Sequence, residues 1–363
     1  MRALNILKNS VALYEYFLEH LVSEEINSIL IWNGRRTSEA AIAFAGKKLG
    51  IDCNYFNLGS QFNRFLLSEL PGSQIEGINQ ELKKWYLMRK NLGQLEKMKK
   101  EGELYFADLR VGKSRTPHYE HFLRGYHDRY SVNKKGDKRK LLVIFTSSMW
   151  EYRTSPALEK INLEFQNQYA LYEKIATDPI VVSKYIVVFR WHPNLVNAGV
   201  LEVQEMDRII KDCSGVIHIR PEDRIDSYSL LSEADVIVTT GSTMGIEAVI
   251  EGKPSILLGV APYQGVDAVY EPSDFDEFVR LVSEPITCLP KNGAWAYGDW
   301  YRNFGTEFLF VDEKFGSYSL KGESVHGKLK RFFRIERMVK KISSRVMQSL
   351  GLNGQMSRFR SNI

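Results

Sequence analysis

At 363 residues, 44% hydrophobic and 26% charged, the chain has the composition of an ordinary globular protein and the length for two domains, each with its own core. The net charge of +5 is uneven, because residues 321–363 carry 11 Lys and Arg against 2 Glu; that tail holds +9 and leaves −4 elsewhere, which argues against a nucleic-acid-binding body. Cys53, Cys213 and Cys288 are odd in number and widely spaced, against a disulfide framework or zinc site, and no stretch reaches the ~18 uncharged apolar residues of a membrane span.

The first residues do not read as a cleaved leader, since Glu15, Glu19 and His20 interrupt any apolar run; a cytoplasmic protein is expected. Asn9 or Ser10 can cap an opening helix through about Leu21. Ile29 to Trp32 then reads as a strand, followed by the loop Asn33-Gly34-Arg35-Arg36 and a helix capped by Ser38 and running through Leu49. Ala40, Ala43 and Ala45 are small enough for that helix to lie close on a sheet. Cys53 to Phe56 gives a second strand. Residues 76–104 read as a charged, solvated helix, and Asp108 to Arg129 as an irregular polar stretch containing His118, His121, His127 and Asp128.

Ser131 to Lys140 is polar and basic, and is the best linker candidate. Beyond it the chain alternates strands and helices. Strand 141–145 ends in Thr146-Ser147-Ser148. Helix 156–176 leads to strand 187–189, which ends in Arg190-Trp191-His192-Pro193-Asn194. Helix 200–211, strand 216–219 and a short apolar face at Tyr228, Leu230 and Leu231 follow. Val236 to Val238 is a strand of the doubly buried type, broken by Thr239-Thr240-Gly241-Ser242-Thr243. A helix from Met244 to Ile250, ended by Gly252, and strand 254–258 complete the set. The pattern predicts a doubly wound α/β domain, and the first half repeats the strand–loop–helix–strand order. The expected organisation is an N-terminal domain over 1–135, a C-terminal domain over 136–315 and a tail over 316–363.

In such sheets ligands bind outside the carboxyl ends of the strands. The hydroxyl-rich loop Gly241, Ser242, Thr243, placed before a helix, points to a phosphate. Ser147 and Ser148 form a second hydroxyl-rich turn at a strand end, and His192, followed by Pro193, can donate to a phosphate oxygen. Glu247, one turn into its helix, can accept from ribose hydroxyls. In the N-terminal half, Arg35 and Arg36 can grip a carboxylate or phosphate, and Glu39 and Asp128 are the candidate bases. Asp274-Phe275-Asp276 matches a metal-binding DxD pattern, but its place after Ser273 at a helix start reads as a cap, so no metal is expected. His118, His121 and His127 lack a partner that would complete a metal site.

RWHPN, a helix, and then ADVIVTTGSTMGIEAVIEGKPSILLG resemble the bacterial capsular polysaccharide biosynthesis family; SILIWNGRRTSEAAIAFAGKKLGI resembles its opening strand, loop and helix. Bacterial sialyltransferases and UDP-N-acetylglucosamine 2-epimerases have similar His-Pro and Ser-Thr pieces, whereas wall teichoic acid polymerases differ at Thr240-Gly241-Ser242-Thr243. The resemblance implies two Rossmann-like domains facing across a cleft (GT-B type). It implies a glycosyltransferase, inverting and without cofactor, that uses CMP-Kdo or another CMP- or UDP-sugar and extends a surface polysaccharide or lipid-linked glycan. His192, Pro193, Gly241, Ser242, Thr243, Glu247, Ser147 and Ser148 would hold the donor, and Arg35 and Arg36 the acceptor. The family's acidic residue after the second strand is replaced here by Asn57, which cannot take a proton. A 2-epimerase of the same fold and a non-catalytic assembly subunit are the alternatives.

Lys328 to Ser349 places Leu329, Phe332, Phe333, Val339, Ile342 and Val346 near one helical face with Lys and Arg elsewhere. That pattern reads as a helix for an anionic inner-membrane surface.

Overall fold

The computed structural model describes residues 2–34, 36–60, 64–71, 75–111, 128–132, 136–149, 156–308, 311–314, 317–320 and 323–324. The chain divides into two compact units, one of Met1–Gln61 with Leu66–Gly305 and the other of Phe62–Phe65 with Thr306–Ile363.

The first unit opens with α1 (Arg2–Ser23), β1 (Ser28–Trp32), α2 (Thr37–Leu49) and β2 (Asp52–Leu58). The strands β1 and β2 pair in parallel, Trp32 opposite Phe56, and β3 (Arg64–Ser68) begins in the second unit and ends in the first. Ile29 and Ile31 bury against Ala45 of α2 and Leu21 of α1. The opening helix begins at Arg2, so Asn9 and Ser10 lie inside it and do not cap it; Ser10 instead returns its hydroxyl to the Ile6 carbonyl at 2.8 Å.

The stretch read as one solvated helix is two packed ones, α3 (Ile75–Asn91) and α4 (Leu95–Arg110), broken where Gly93 takes φ 65°. Their charged residues obscured an apolar stripe, for Leu82, Met98 and Phe106 are all buried.

The larger sheet is made of β4 (Lys140–Phe145), β5 (Tyr185–Arg190), β6 (Ile217–Ile219), β7 (Val236–Thr239) and β8 (Ser255–Leu257). It is parallel throughout, in the order β6-β5-β4-β7-β8. Continuous β-branched runs suit it, because both faces are covered. On one face Leu142, Ile144 and Phe189 pack against α6 (Gln168–Thr177), α8 (Val200–Asp212) and α11 (Phe275–Ser283). On the other, Leu141, Val143 and Ile237 meet α9 (Ser227–Glu233) and Ala248 of α10 (Met244–Ile250).

The helix expected over 156–176 is divided into a 3-10 turn (Pro156–Lys160), α5 (Leu163–Gln166) and α6. Asn162 and Asn167 accept the Glu164 and Ala170 N–H groups and restart the helix each time. The turn α7 (Pro179–Lys184) then leads into β5. At the linker candidate, the Tyr130 and Val132 N–H groups donate to Ser229 and Glu233 of α9.

The helix α12 (Asn292–Asn303) lies on α4, and the two backbones approach at glycines: a Cβ on Gly102 would stand 2.5 Å from the Trp295 carbonyl oxygen, and one on Gly298 2.8 Å from Gly102 Cα. Beside this crossing Asp299, wholly buried, accepts from Arg89 Nε at 2.7 Å and Trp85 Nε1 at 2.6 Å.

In the second unit Arg64 and Phe65 pair antiparallel with β9 (Thr306–Glu307), and β10 (Val311–Lys314), β11 (Ser317–Leu320) and β12 (Glu323–Ser324) form an antiparallel meander. Among the described residues no helix is long and apolar enough to cross a membrane.

Candidate functional site

The order of the larger sheet reverses between β4 and β7, so its crevice opens where Thr146-Ser147-Ser148 and Thr239-Thr240-Gly241-Ser242-Thr243 leave the sheet. The two loops lie side by side there, because Phe145 and Thr239 are paired at the ends of β4 and β7. His192, at the carboxyl end of neighbouring β5, joins them through its main chain, whose N–H donates to Thr146 Oγ1 at 2.9 Å.

His192 caps a 3-10 turn that begins at Pro193, and its Nδ1 accepts the Asn194 N–H at 3.1 Å. With Nδ1 accepting, the neutral imidazole carries its proton on Nε2 and can donate from there. Burial and the Arg190 charge bring its pKa down from an ordinary 6.5 to about 4, against a smaller opposite pull from Glu202. The ring is therefore a neutral donor at neutral pH.

The two serines after β4 differ. Ser148 donates to Glu202 Oε1 at 3.0 Å, and that oxygen also takes the Met149 N–H at 2.7 Å. The Ser147 hydroxyl is buried with no hydrogen-bond partner among the described residues. Such a group is costly unless something arrives to pair with it.

The loop after β7 is tightened from within. Thr239 Oγ1 donates to the Phe145 carbonyl and accepts the Gly241 N–H at 3.1 Å and the Ser242 N–H at 2.8 Å. Two of the N–H groups expected to face a phosphate are thus turned onto Thr239, and α10 is only seven residues long. Side chains, more than the helix end, remain to meet an anion.

Three tyrosines hold the site, none of which the sequence singled out for this work. Tyr172 of α6, fully buried, accepts the Ser147 N–H at 3.3 Å and lies 2.7 Å from Thr240 Oγ1, joining the two loops at the switch point. Tyr263 donates to the Ser242 carbonyl at 2.6 Å. Tyr228 of α9 donates to Glu247 Oε2 at 2.5 Å. Nothing local in the sequence marks these contacts, since the tyrosines lie 68, 21 and 19 residues from their partners.

Glu247 is buried; its pKa is raised by desolvation, opposed by the Tyr228 and Thr243 hydroxyls and by Arg110. Arg110, at the end of α4, stacks over the Tyr228 ring at 5.2 Å and pairs with Glu251.

The N-terminal candidates stand apart. Glu39 accepts the Arg36 N–H at 2.9 Å in a capping box at the start of α2, and the Arg36 side chain is exposed. Asp128 is exposed, and its carbonyl accepts the Asp226 N–H at 3.0 Å. Arg35, His118, His121, His127 and the tail from Lys328 to Ser349 lie outside the described residues. A cavity of about 230 Å³ lies beyond the carboxyl end of β8, lined by Glu76 and Asn79 of α3 together with Lys160, Ala261 and Gln264; Lys160 and Glu76 pair across it at 2.5 Å.

At the DxD pattern the cap is Asp274, which accepts the Glu277 N–H at 2.7 Å, while Glu277 accepts the Ser273 N–H and hydroxyl. Asp276 sits in the first turn of α11 and is not the cap. Among the described residues no group of three or more His, Cys, Asp or Glu is gathered for a metal ion.

Fold and site define a doubly wound α/β protein with a hydroxyl-rich crevice at its switch point. Residues 182–271, from within α7 through β8 and beyond, match the family of capsule polysaccharide biosynthesis proteins, and the likeness to that family is shown over this stretch. No curated protein matches the chain. Among solved structures, the chain is similar to the Thermosulfurimonas dismutans KpsC β-Kdo 2,4 transferase, at 15% identity, a TM-score of 0.45 and coverage of 75% of this chain and 79% of that one. It is also similar to the β-Kdo 2,7 transferase of the same organism's KpsC (14%, 0.40, 77% and 78%). A third similar structure is the Methanocaldococcus jannaschii UDP-GlcNAc 2-epimerase in complex with UDP-GlcNAc and UDP (13%, 0.33, 79% and 78%).

Proposed function

We propose that the chain is a glycosyltransferase of surface polysaccharide assembly, holding a nucleotide sugar at the switch point and passing its sugar to a polysaccharide or lipid-linked glycan. The observation that carries this reading is the buried, unpaired Ser147 hydroxyl at the end of β4, where His192 of the neighbouring strand supplies a neutral Nε2–H donor. The match of residues 182–271 to capsule polysaccharide biosynthesis proteins supports it.

In the proposed reaction the donor's anomeric carbon–phosphate oxygen bond breaks as the acceptor hydroxyl attacks, with inversion. Negative charge grows on the leaving phosphate. Donors fixed beforehand by Thr146, Tyr172 and Thr239 stabilise it without reorganising. Ser242 and Thr243 complete the phosphate site, and Glu247 accepts from the ribose. A carboxylate takes the acceptor proton. Asp128 is taken as that carboxylate, because Glu39 is already engaged in the capping box. The acceptor is gripped by Arg35 and Arg36. The reaction is metal-independent, with the capping role of Asp274 as its support, and the basic tail holds the enzyme at an anionic membrane surface.

The test is a donor panel. Purified chain is incubated with CMP-, UDP- and GDP-sugars, with and without EDTA, and followed by thermal stabilisation and nucleotide release. One nucleotide class should stabilise the chain, with acceptor-dependent release that survives EDTA. Release restored only by Mn²⁺ would reject metal independence, and conversion of a UDP-sugar without acceptor would reject transfer in favour of epimerisation.

A further inference from the structure

Asn57, read from the sequence as following the second strand, lies within it, and the structure gives it a different character. It is 9% exposed, on β2, and its amide Nδ2 has no hydrogen-bond partner among the described residues. Across the ladder the register runs Trp32 to Phe56, and the Asn33 N–H donates to the Phe56 carbonyl at 3.0 Å, so Asn33 is the next residue beside Asn57. The Asn33 Oδ1 is likewise buried and unpaired. Three residues beyond Asn57, the Ser60 hydroxyl is a third buried group without a partner, its backbone N–H anchored to the Phe304 carbonyl at 3.0 Å.

The chain is bent to make this arrangement. Asn33 takes φ 61° and Gly34 φ 81°, a left-handed pair that folds the end of β1 over β2. A Cβ on Gly34 would lie 2.7 Å from the Tyr55 ring and 3.1 Å from Pro71 Cβ, so the turn is pressed onto the face of β2 that carries Tyr55 and Asn57. Neighbouring strands lie roughly 4.8 Å apart. An amide N–H, an amide oxygen and a hydroxyl, each withheld from water and without a partner among the described residues, thus stand near the carboxyl end of this strand pair.

Resting on the glycosyltransferase reading, we propose that Asn33, Asn57 and Ser60 form a subsite for the hydroxyl groups of a neutral sugar in the acceptor. The chemistry selects that class. A carboxylate or phosphodiester accepts only and would leave the Asn33 oxygen unpaired, whereas a sugar hydroxyl both donates and accepts and satisfies an N–H and a C=O side by side. Asn57 takes no proton here; it positions the sugar.

The probes are methyl α-galactopyranoside and methyl N-acetyl-β-glucosaminide, with acetate and methanesulfonate as anionic controls that only accept, observed by saturation-transfer NMR on the full chain. Nucleotide binding is measured on the same preparations by calorimetry. Saturation transfer to a neutral glycoside and not to the anions is expected, weakened about tenfold in Asn57→Leu and in Asn33→Gly, the loss expected for one hydrogen bond. Nucleotide affinity should be unchanged, and the thermal midpoint of Asn57→Leu should stay at or above that of the parent. No transfer to either glycoside, or transfer undiminished in the variants, overturns the subsite. Should Asn57→Leu fail to fold, Asn33→Gly decides, since glycine accepts the left-handed backbone. Absence of nucleotide binding by the parent chain counts against the proposed function alone, because the glycoside arm is read independently.

Discussion

Ser147 and His192 stand ready in opposite ways: one hydroxyl lacks a partner, and one imidazole is fixed by a partner that leaves its other nitrogen to donate. Ser147→Ala removes a buried group that contributes nothing to the unliganded fold, so thermal stability should hold or rise slightly. Nucleotide affinity should fall by roughly 1.5–3 kcal/mol, the range for a hydrogen bond to a charged group; calorimetry on the variant checks both halves. For His192 the sign follows from a folded pKa of about 4 against an ordinary 6.5. The folded state resists the proton, so stability is fully present above pH 6.5 and is lost as pH falls through about 4, by at most about 3 kcal/mol. Denaturation midpoints measured between pH 7 and 4 should fall less steeply in His192→Gln than in the parent.

Between elements, the wholly buried Tyr172 hydroxyl joins the loops after β4 and β7. Tyr172→Phe strands Thr240 and the Ser147 N–H, and should cost about 2–4 kcal/mol in chemical denaturation together with weaker nucleotide binding. The crossing of α4 and α12 has no room at Gly102, and Gly102→Val should destabilise by about 1–3 kcal/mol, read from the same curves. The parallel sheet was legible in the sequence because doubly buried strands are continuous apolar runs, and Val187–Phe189 and Val236–Val238 fell where β5 and β7 form. What escaped was non-local. The charges along 76–104 hid Leu82, Met98 and Phe106, which bury because α12 arrives from some 200 residues away. Likewise the site's hydroxyls were visible in Ser147 and Ser242, but Thr239's hold on its own loop and the three supporting tyrosines depend on tertiary packing.

For the whole molecule, the tail adds a property the body lacks: +9 on residues 321–363 against −4 elsewhere. Near an anionic leaflet each Lys or Arg contributes roughly 1 kcal/mol, weakened as salt screens it. The full chain should therefore co-sediment with anionic liposomes at low salt and much less with neutral ones. Truncation after Gly322 should abolish this and spare nucleotide binding. Little liposome binding, with a large loss of thermal stability on truncation, would mean the tail serves the fold instead. The central claim, a nucleotide sugar held by its phosphate at the switch point, is tested most directly by calorimetric titration of the full chain and of Ser147→Ala with CMP and UDP. One of the two nucleotides should bind the parent chain and bind the variant about tenfold or more weakly. No binding of either nucleotide, or equal affinity for parent and variant, would contradict it.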